Sequence, residues 1–298
     1  MKIIDSVATL LAWKQSLFQG ASAHSPVDQP LVFVPTMGSL HLGHTALIQQ
    51  ARKLAGSSGK VVVSIFVNPL QFDQQDDYDH YPRDLAKDIS LLKKLGVDVL
   101  FIPDQKSFPP KNTLIELKKL NHGPQSLARP GHLTGVCTII MKFFVIISPT
   151  DVFFGEKDYE QLLVIRGMVR DYELPIHIHA VATVREPSGL AYSSRNQRLS
   201  HDSRTKKAPL IFQVLRKAKD MWQEHQIPSS ELIEYVTGQL NNHHSMCCQY
   251  VVILSGDDLT TIEKPVSGET ILFVSVCLEG VYLIDHIKLT SQETKPLT

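Results

Sequence analysis

Short apolar runs alternate with helical segments through the first two thirds of the chain, and this alternation constrains the fold more than any other feature. Leu31–Val34, Val61–Val67 and Val97–Ile102 have the apolar, β-branched composition of buried strands. Thr45–Leu54 and Arg83–Leu95 lie between them and have the spacing of amphipathic helices. Such repetition predicts a parallel sheet with helices on both faces.

The pattern changes around Arg185–Gly189, where the alternation stops. Two helices are predicted after it, at Ser200–His225 and Ser230–Asn241, followed by three strands at Gln249–Leu254, Thr270–Val276 and Val281–His286. We therefore expect a Rossmann-like α/β domain over residues 1–185 and a smaller α+β domain over residues 186–298. Periodicity does not decide whether Thr138–Val145 is a helix or a strand.

Composition excludes several classes of function. The 298 residues contain 30 basic and 30 acidic side chains, so no basic surface for nucleic acid is expected. Apolar runs such as Phe143–Ile147 are too short to span a membrane, and Met1–Ser6 has no signal-peptide pattern. The four cysteines form no CxxC pair, which favours free thiols in a reducing compartment and a cytoplasmic protein.

The segment Pro35–His44 follows the first predicted strand and contains two histidines where the next helix begins. Helix N-termini present N–H groups without intrahelical partners and a positive dipole end, and phosphate binds well there. His41 and His44 can donate hydrogen bonds to phosphate oxygens. A metal site, or histidines with no role, are the alternatives.

Two further segments follow predicted strands, where α/β sheets build ligand sites. Asn68 and Gln71 come after Val61–Val67, and the Gln71 amide suits a substrate with hydroxyl and carboxylate groups, although Asn68-Pro69 is also a common turn. Lys157, in a Gly-Glu-Lys-Asp cluster, follows the strand Asp151–Phe154 and is either a site cation or a surface lysine. The acidic residues after Phe72 favour a solvated loop.

Two weaker signals lie elsewhere. Tyr192–Asn196 carries two hydroxyls and a guanidinium after the proposed domain boundary, which suits either a closing phosphate clamp or a serine-rich turn. Arg129 and His132 are candidates for a second anionic group.

Together these segments resemble the pantoate–β-alanine ligase family. The resemblance rests on PTMGSLHLGH, FVNPLQF, YPRDL, GHLTGV, FFGEKDYEQLLVIRGMV, TVREPSGLAYSSRN and LIDHIKL, in the family's order. It implies that ATP and pantoate form pantoyl adenylate and pyrophosphate, and that β-alanine then gives pantothenate and AMP. It also implies a homodimer, with Mg²⁺ on the ATP phosphates.

The resemblance also implies roles for individual residues. His44 would be the proton donor, with His41 beside it and Lys157 on the phosphates. Pantoate and β-alanine would lie near Gln71, Gln161, Asn68, Arg129 and His132, and Asp88 would contribute indirectly to Mg²⁺. The nucleotide would contact Met37, Gly38, Ser39, Leu40, His41, Leu42, Gly43, His44, Gly155, Glu156, Lys157, Asp158 and Val184, with Tyr192, Ser193, Ser194 and Arg195 as the closing loop.

Three positions depart from the family pattern: Tyr192 replaces a usual Met, Leu133 a common Phe, and Glu160 a frequent Gln. None removes a group with an assigned charge or proton. Two other functions remain as alternatives: a nucleotidyltransferase acting on a phosphorylated acceptor, and a nucleotide-sensing module without catalysis.

Overall fold

The computed structural model describes residues 1–18, 29–72, 75–118, 120, 123–243, 245–264 and 268–289. The chain divides into two compact units, with the boundary between Val184 and Arg185. Residues 123 and 124 group with the second unit. The sequence between Phe18 and Gln29 predicts a polar loop, and most of that segment falls outside the described residues.

The first unit is built on a six-stranded sheet in which every strand pair is parallel. Its strands, in chain order, are β1 (Lys2–Ile4), β2 (Leu31–Thr36), β3 (Lys60–Ile65), β4 (Val99–Phe101), β5 (Asp151–Gly155) and β6 (His177–Val181). Their spatial order is β1-β4-β3-β2-β5-β6. This confirms the predicted α/β class.

Helices that pack on the sheet bury two apolar clusters. The α-helices described in this unit are α1 (Val7–Phe18), α2 (Leu42–Ala55), α3 (Gln75–Asp79), α4 (Leu85–Lys94), α5 (Pro124–Ala128), α6 (His132–Ile147) and α7 (Tyr159–Asp171). Thr138–Val145, which periodicity left undecided, belongs to α6 and is helical. The acidic segment after Phe72 was expected to be a loop, but residues 75–79 form the short helix α3.

Strand order locates the ligand-binding edge. The chain moves from β2 through β3 to β4 on one side, and β5 and β6 lie on the other. Strand order therefore reverses between β2 and β5, and open α/β sheets bind ligands at the carboxyl ends of strands beside such a point. The segments that follow β2, β3 and β5 are those with the candidate site residues.

The second unit packs α8 (Pro209–His225) and α9 (Ser229–Asn241) with the antiparallel sheet β7 (Met246–Ser255), β8 (Thr270–Leu278) and β9 (Val281–Lys288). This confirms the predicted α+β character. The helix expected from Ser200 is interrupted, because a π-helical turn at Ser203–Lys207 precedes Pro209 at the first position of α8.

The cysteines are free thiols, as expected. Within the described residues, no helix has both the length and the apolar content needed to cross a membrane.

Candidate active site

The turn after β2 is a compact loop whose backbone is held by a carboxylate. Gly38 and Ser39 both have positive φ angles, 81° and 51°. The N–H groups of Ser39 and Leu40 each donate to one oxygen of Asp88, both at 2.8 Å. Two N–H groups of the loop are thus bound to Asp88 and fix the path of the chain from β2 into α2.

Asp88 lies on α4 and is 2% exposed. Burial raises the pKa of its carboxyl group, and the N–H groups of Leu40 and Ser39 oppose that rise. A Cβ atom at Gly38 would lie 3.2 Å from Asp88 Oδ2 and 3.0 Å from Ile65 Cγ2. Only glycine therefore combines this φ angle with so close an approach of the carboxylate.

The two histidines cap helix α2 reciprocally. His41 is the N-cap residue, and its Nδ1 accepts from the N–H of Gly43 at 3.1 Å. The N–H of His41 donates to Nδ1 of His44 at 3.3 Å. The ring centroids are 4.1 Å apart. The HxGH spacing thus produces a capping box made of imidazoles.

This geometry sets the tautomer of both rings. Because each Nδ1 accepts a backbone N–H, a neutral ring carries its proton on Nε2. Burial is the main reason that the pKa falls to about 4 for His41 and about 3 for His44. Lys157 lowers both pKa values further, and Asp158 opposes it by raising both. At neutral pH both imidazoles are therefore uncharged Nε2–H donors rather than cations.

Lys157 supplies a positive charge next to this pair. It lies in the 3₁₀ turn Glu156–Asp158, directly after β5, and its ammonium is 3.1 Å from Asp158 Oδ1. Because β5 pairs in parallel with β2, Lys157 lies at the same edge of the sheet as the turn that carries the histidines. Its side chain is 21% exposed, which does not favour the interpretation as a surface lysine.

The segment after β3 is fixed against the start of α6. Asn68 is 1% exposed, and its amide donates to the carbonyl oxygen of Gly135 at 3.0 Å. A Cβ atom at Gly135 would lie 2.2 Å from the carbonyl oxygen of Leu70, so the close contact requires glycine. His132 Nδ1 donates to the carbonyl oxygen of Gln71 at 2.8 Å, since a carbonyl can only accept. The structure thus brings Gln71 and His132 together.

The remaining predicted site residues lie at the start of α7, at the end of the first unit and in the second unit. Gln161 is half-buried in the first turn of α7, and Val184 ends the first unit. In the second unit, Ser193 caps a 3₁₀ turn at Ser194–Arg198 by accepting from the N–H of Arg195 at 3.3 Å. The turn before it is anchored by Arg185, whose guanidinium contacts both oxygens of Asp285 at 2.6 and 2.8 Å.

Sequence reasoning missed two buried carboxylates. Asp88 was considered only for Mg²⁺, yet its oxygens hold the loop after β2. Glu160 was noted only as a departure, yet it is fully buried and binds the backbone at Gln125. Within the described part of the chain, no group of three or more His, Cys, Asp or Glu residues could hold a metal ion.

Comparison with known proteins identifies the family of this chain. The family model described as pantoate-beta-alanine ligase matches residues 2–288. The chain belongs to the pantoate–β-alanine ligase family. The pantothenate synthetase of Akkermansia muciniphila is 39% identical over 271 residues, which cover 89% of this chain and 94% of that protein. That of Thermosipho africanus is 35% identical over 289 residues, covering 96% and 99%.

Solved structures of family members have the same fold. Pantothenate synthetase from Thermus thermophilus superposes with a TM-score of 0.86 at 36% identity, covering 98% of this chain and 100% of that one. Pantoate-beta-alanine ligase from Francisella tularensis has a TM-score of 0.77 at 32% identity and 98% coverage of both chains. The Francisella protein is complexed with β-γ ATP and β-alanine.

Proposed function

We propose that this protein joins pantoate to β-alanine at the expense of ATP, as its family name describes. A pantoate carboxylate oxygen attacks the α-phosphorus of ATP, and pyrophosphate leaves. The β-alanine nitrogen then attacks the acyl carbon, loses a proton and releases AMP. The observation that carries the proposal is the imidazole capping box at the start of α2, in which backbone N–H groups occupy both Nδ1 atoms and leave Nε2 of each ring for a ligand.

The first step needs donors and cations rather than covalent chemistry from the protein. Charge grows on the phosphate oxygens as the bond to pyrophosphate breaks, and preorganised donors stabilise it. His44 and His41 would donate from Nε2, and Lys157 would add the positive charge. The rest of Met37–His44, Gly155–Asp158 and Val184 would line the nucleotide.

Mg²⁺ would enter as part of the substrate, bound to the ATP phosphates. Asp88 does not fit a direct metal ligand, because both its oxygens accept N–H groups and it is 2% exposed. Its contribution to phosphate binding would run through the loop that it holds.

The acid substrates would bind at the same edge of the sheet, near the segments that follow β3 and β5. The Gln71 and Gln161 amides suit the hydroxyl and carboxylate groups of pantoate, and Arg129 and His132 suit a carboxylate. Asn68 would act by fixing the turn. Residues 192–195 of the C-terminal domain would serve as the closing loop, and a cytoplasmic homodimer is the assembly that the family implies.

Isotope exchange between pyrophosphate and ATP tests this reaction. We expect exchange to require pantoate alone, and AMP to accumulate only when β-alanine is added. Exchange without pantoate, or preference for another acid, would contradict the proposal. Nucleotide transfer to a phosphorylated acceptor without AMP would indicate a nucleotidyltransferase, and tight ATP binding without turnover would indicate a sensing module.

The Lys157 ammonium should matter mainly in the first half-reaction. We expect Lys157→Ala to slow pantoyl adenylate formation about 10- to 100-fold, because a cation at the phosphates is lost. Aminolysis of preformed pantoyl adenylate should slow much less, since pyrophosphate is already gone. Rapid-quench measurement of each half-reaction checks this, with the exposed Lys93→Ala as control. Equal slowing of both steps would argue against this role.

A further inference from the structure

Glu160 is a buried carboxylate that takes no part in the reaction proposed above. It lies in the first turn of α7 and is 0% exposed. The N–H of Gln125 donates to its Oε1 at 3.0 Å and its Oε2 at 3.2 Å, and the N–H of Ser126 lies near enough to lower the pKa of the carboxyl group. Glu160 thus binds the start of α5, where N–H groups have no partner within the helix.

The electrostatic cost of this arrangement is large. Burial raises the pKa of Glu160 to about 7, and the N–H groups of Gln125 and Ser126 only partly oppose the rise. A buried ionisable group is tolerated where hydrogen bonds compensate it, and here the compensating groups belong to one backbone segment. Within the part of the chain that the structure describes, the side chain therefore acts on that backbone segment.

A chain of hydrogen bonds leads from Glu160 to the candidate acid site. The carbonyl of Gln125 accepts from the N–H of Arg129 at 2.9 Å. The carbonyl of Arg129 accepts from the N–H of His132 at 3.1 Å. The His132 ring then bonds to the carbonyl of Gln71 at 2.8 Å. Glu160 is therefore connected to three residues assigned to the acid substrates.

We propose that Glu160 is a positioning residue, whose buried carboxylate anchors residues 125–132 so that Arg129 and His132 meet the carboxylate of the acid substrate. The proposal rests on the function proposed above for Arg129 and His132. Glu160 does not touch substrate. It acts through backbone hydrogen bonds, and the next residue on α7, Gln161, is itself a candidate ligand of pantoate.

Two variants of similar length separate anchoring from core packing. Glu160→Gln keeps one oxygen acceptor, whereas Glu160→Met keeps the volume without any acceptor for the N–H groups. In Glu160→Met we expect the amide hydrogens of Gln125 and Ser126 to exchange at least about tenfold faster, relative to Val136 in α6. The KM for pantoate should rise at least about tenfold and the KM for ATP stay within about twofold. Glu160→Gln should resemble the parent protein in all three.

The results that would contradict the anchoring role differ from those that would contradict the proposed function. Unchanged amide exchange and pantoate KM in Glu160→Met would overturn the anchoring role, and so would equal rises in both KM values, which indicate general loosening. Amide exchange needs no turnover, so the anchor is still tested if the parent protein does not use pantoate, an outcome that would refute the proposed function instead.

The pH dependence of unfolding provides a second readout. The folded-state pKa of about 7 exceeds the ordinary 4.5, so the parent protein loses stability as pH rises from about 4.5 to about 7. Glu160→Gln has no such proton to lose. Its urea midpoint should therefore rise relative to the parent between pH 5 and pH 8 and level off above. If the difference between the two urea midpoints did not change with pH, this would contradict a raised pKa of Glu160 in the folded protein.

Discussion

We expect His44→Ala to slow formation of pantoyl adenylate about 10²–10³-fold, the usual effect of losing one transition-state donor. In the folded protein the Nδ1 atom of His44 accepts the N–H of His41, which leaves Nε2–H to face a ligand. Single-turnover adenylation with saturating ATP and pantoate measures the loss directly. A nearly normal rate would remove His44 from the mechanism.

Two amide variants distinguish the capping role of His44 from its donor role. The oxygen of Asn at position 44 can take the place of Nδ1 and accept the N–H of His41, but its side chain is too short to reach the Nε2 position. Gln is one methylene longer and can place an N–H near that position. We expect His44→Asn to be as slow as His44→Ala, and His44→Gln to recover part of the rate. If His44→Asn were faster than His44→Gln, the important function of His44 would be to accept the N–H of His41 and not to donate from Nε2.

The protonation state can be observed without turnover. With pKa values of about 4 and 3, His41 and His44 should remain neutral in the free protein down to about pH 5. Nitrogen-15 spectra of the imidazoles should show a protonated Nε2 and an unprotonated Nδ1 in both rings. A protonated Nδ1 at neutral pH would contradict the capping geometry.

The grouping of several candidate site residues could be predicted, because these residues directly follow strands that can be recognised in the sequence. Apolar runs identified β2, β3 and β5, and the carboxyl ends of neighbouring parallel strands share one edge of a sheet. His44, Gln71 and Lys157 could therefore be grouped from their sequence positions alone. Their roles as neutral donor, fixed turn and nearby cation required the three-dimensional structure, because burial and hydrogen bonds determine them.

Errors in the predicted elements have physical causes. Strand β1 was missed because its three residues, Lys2–Ile4, give too short a pattern for alternation to show. Helix α6 was ambiguous because ten of its sixteen residues are buried, so no polar face appears in the sequence. The break before Pro209 was missed because proline is common in the first turn of a helix. Pro209 therefore did not separate α8 from the helical pattern that precedes it.

The buried carboxylates were beyond the reach of sequence reasoning. Asp88 lies 48 and 49 positions from the two N–H groups that it binds, and Glu160 lies 35 from its own. Nothing in a helical pattern tells whether one acidic residue faces water or a backbone turn. Both carboxylates bind backbone N–H groups near the residues proposed to bind substrate. Residues that hold a site in place in this way are harder to predict from the sequence than residues that would bind substrate directly.

We expect Asp88→Ala to impair both stability and adenylation. Two buried N–H groups, at Ser39 and Leu40, would lose their acceptor, at about 1–3 kcal/mol each. The loop that orients His41 and His44 would move, and a displacement of about 1 Å can slow a reaction about 100-fold. Urea unfolding and single-turnover adenylation measure the two effects, and aminolysis of preformed adenylate should slow less.

Matched variants show whether Asp88 acts on the loop or on magnesium. Asp88→Asn should behave almost like Asp88→Ala, because its NH₂ group would face one of the two backbone donors. Asp84 lies at the start of the same helix, is exposed and caps it by accepting from the N–H of Lys87 at 3.1 Å. Asp84→Ala should cost about 1 kcal/mol of stability and leave adenylation unchanged. If high Mg²⁺ restored the adenylation rate of Asp88→Asn, Asp88 would be a metal ligand. If Asp88 anchors the loop, we expect no recovery, because an added cation cannot replace an acceptor for two N–H groups.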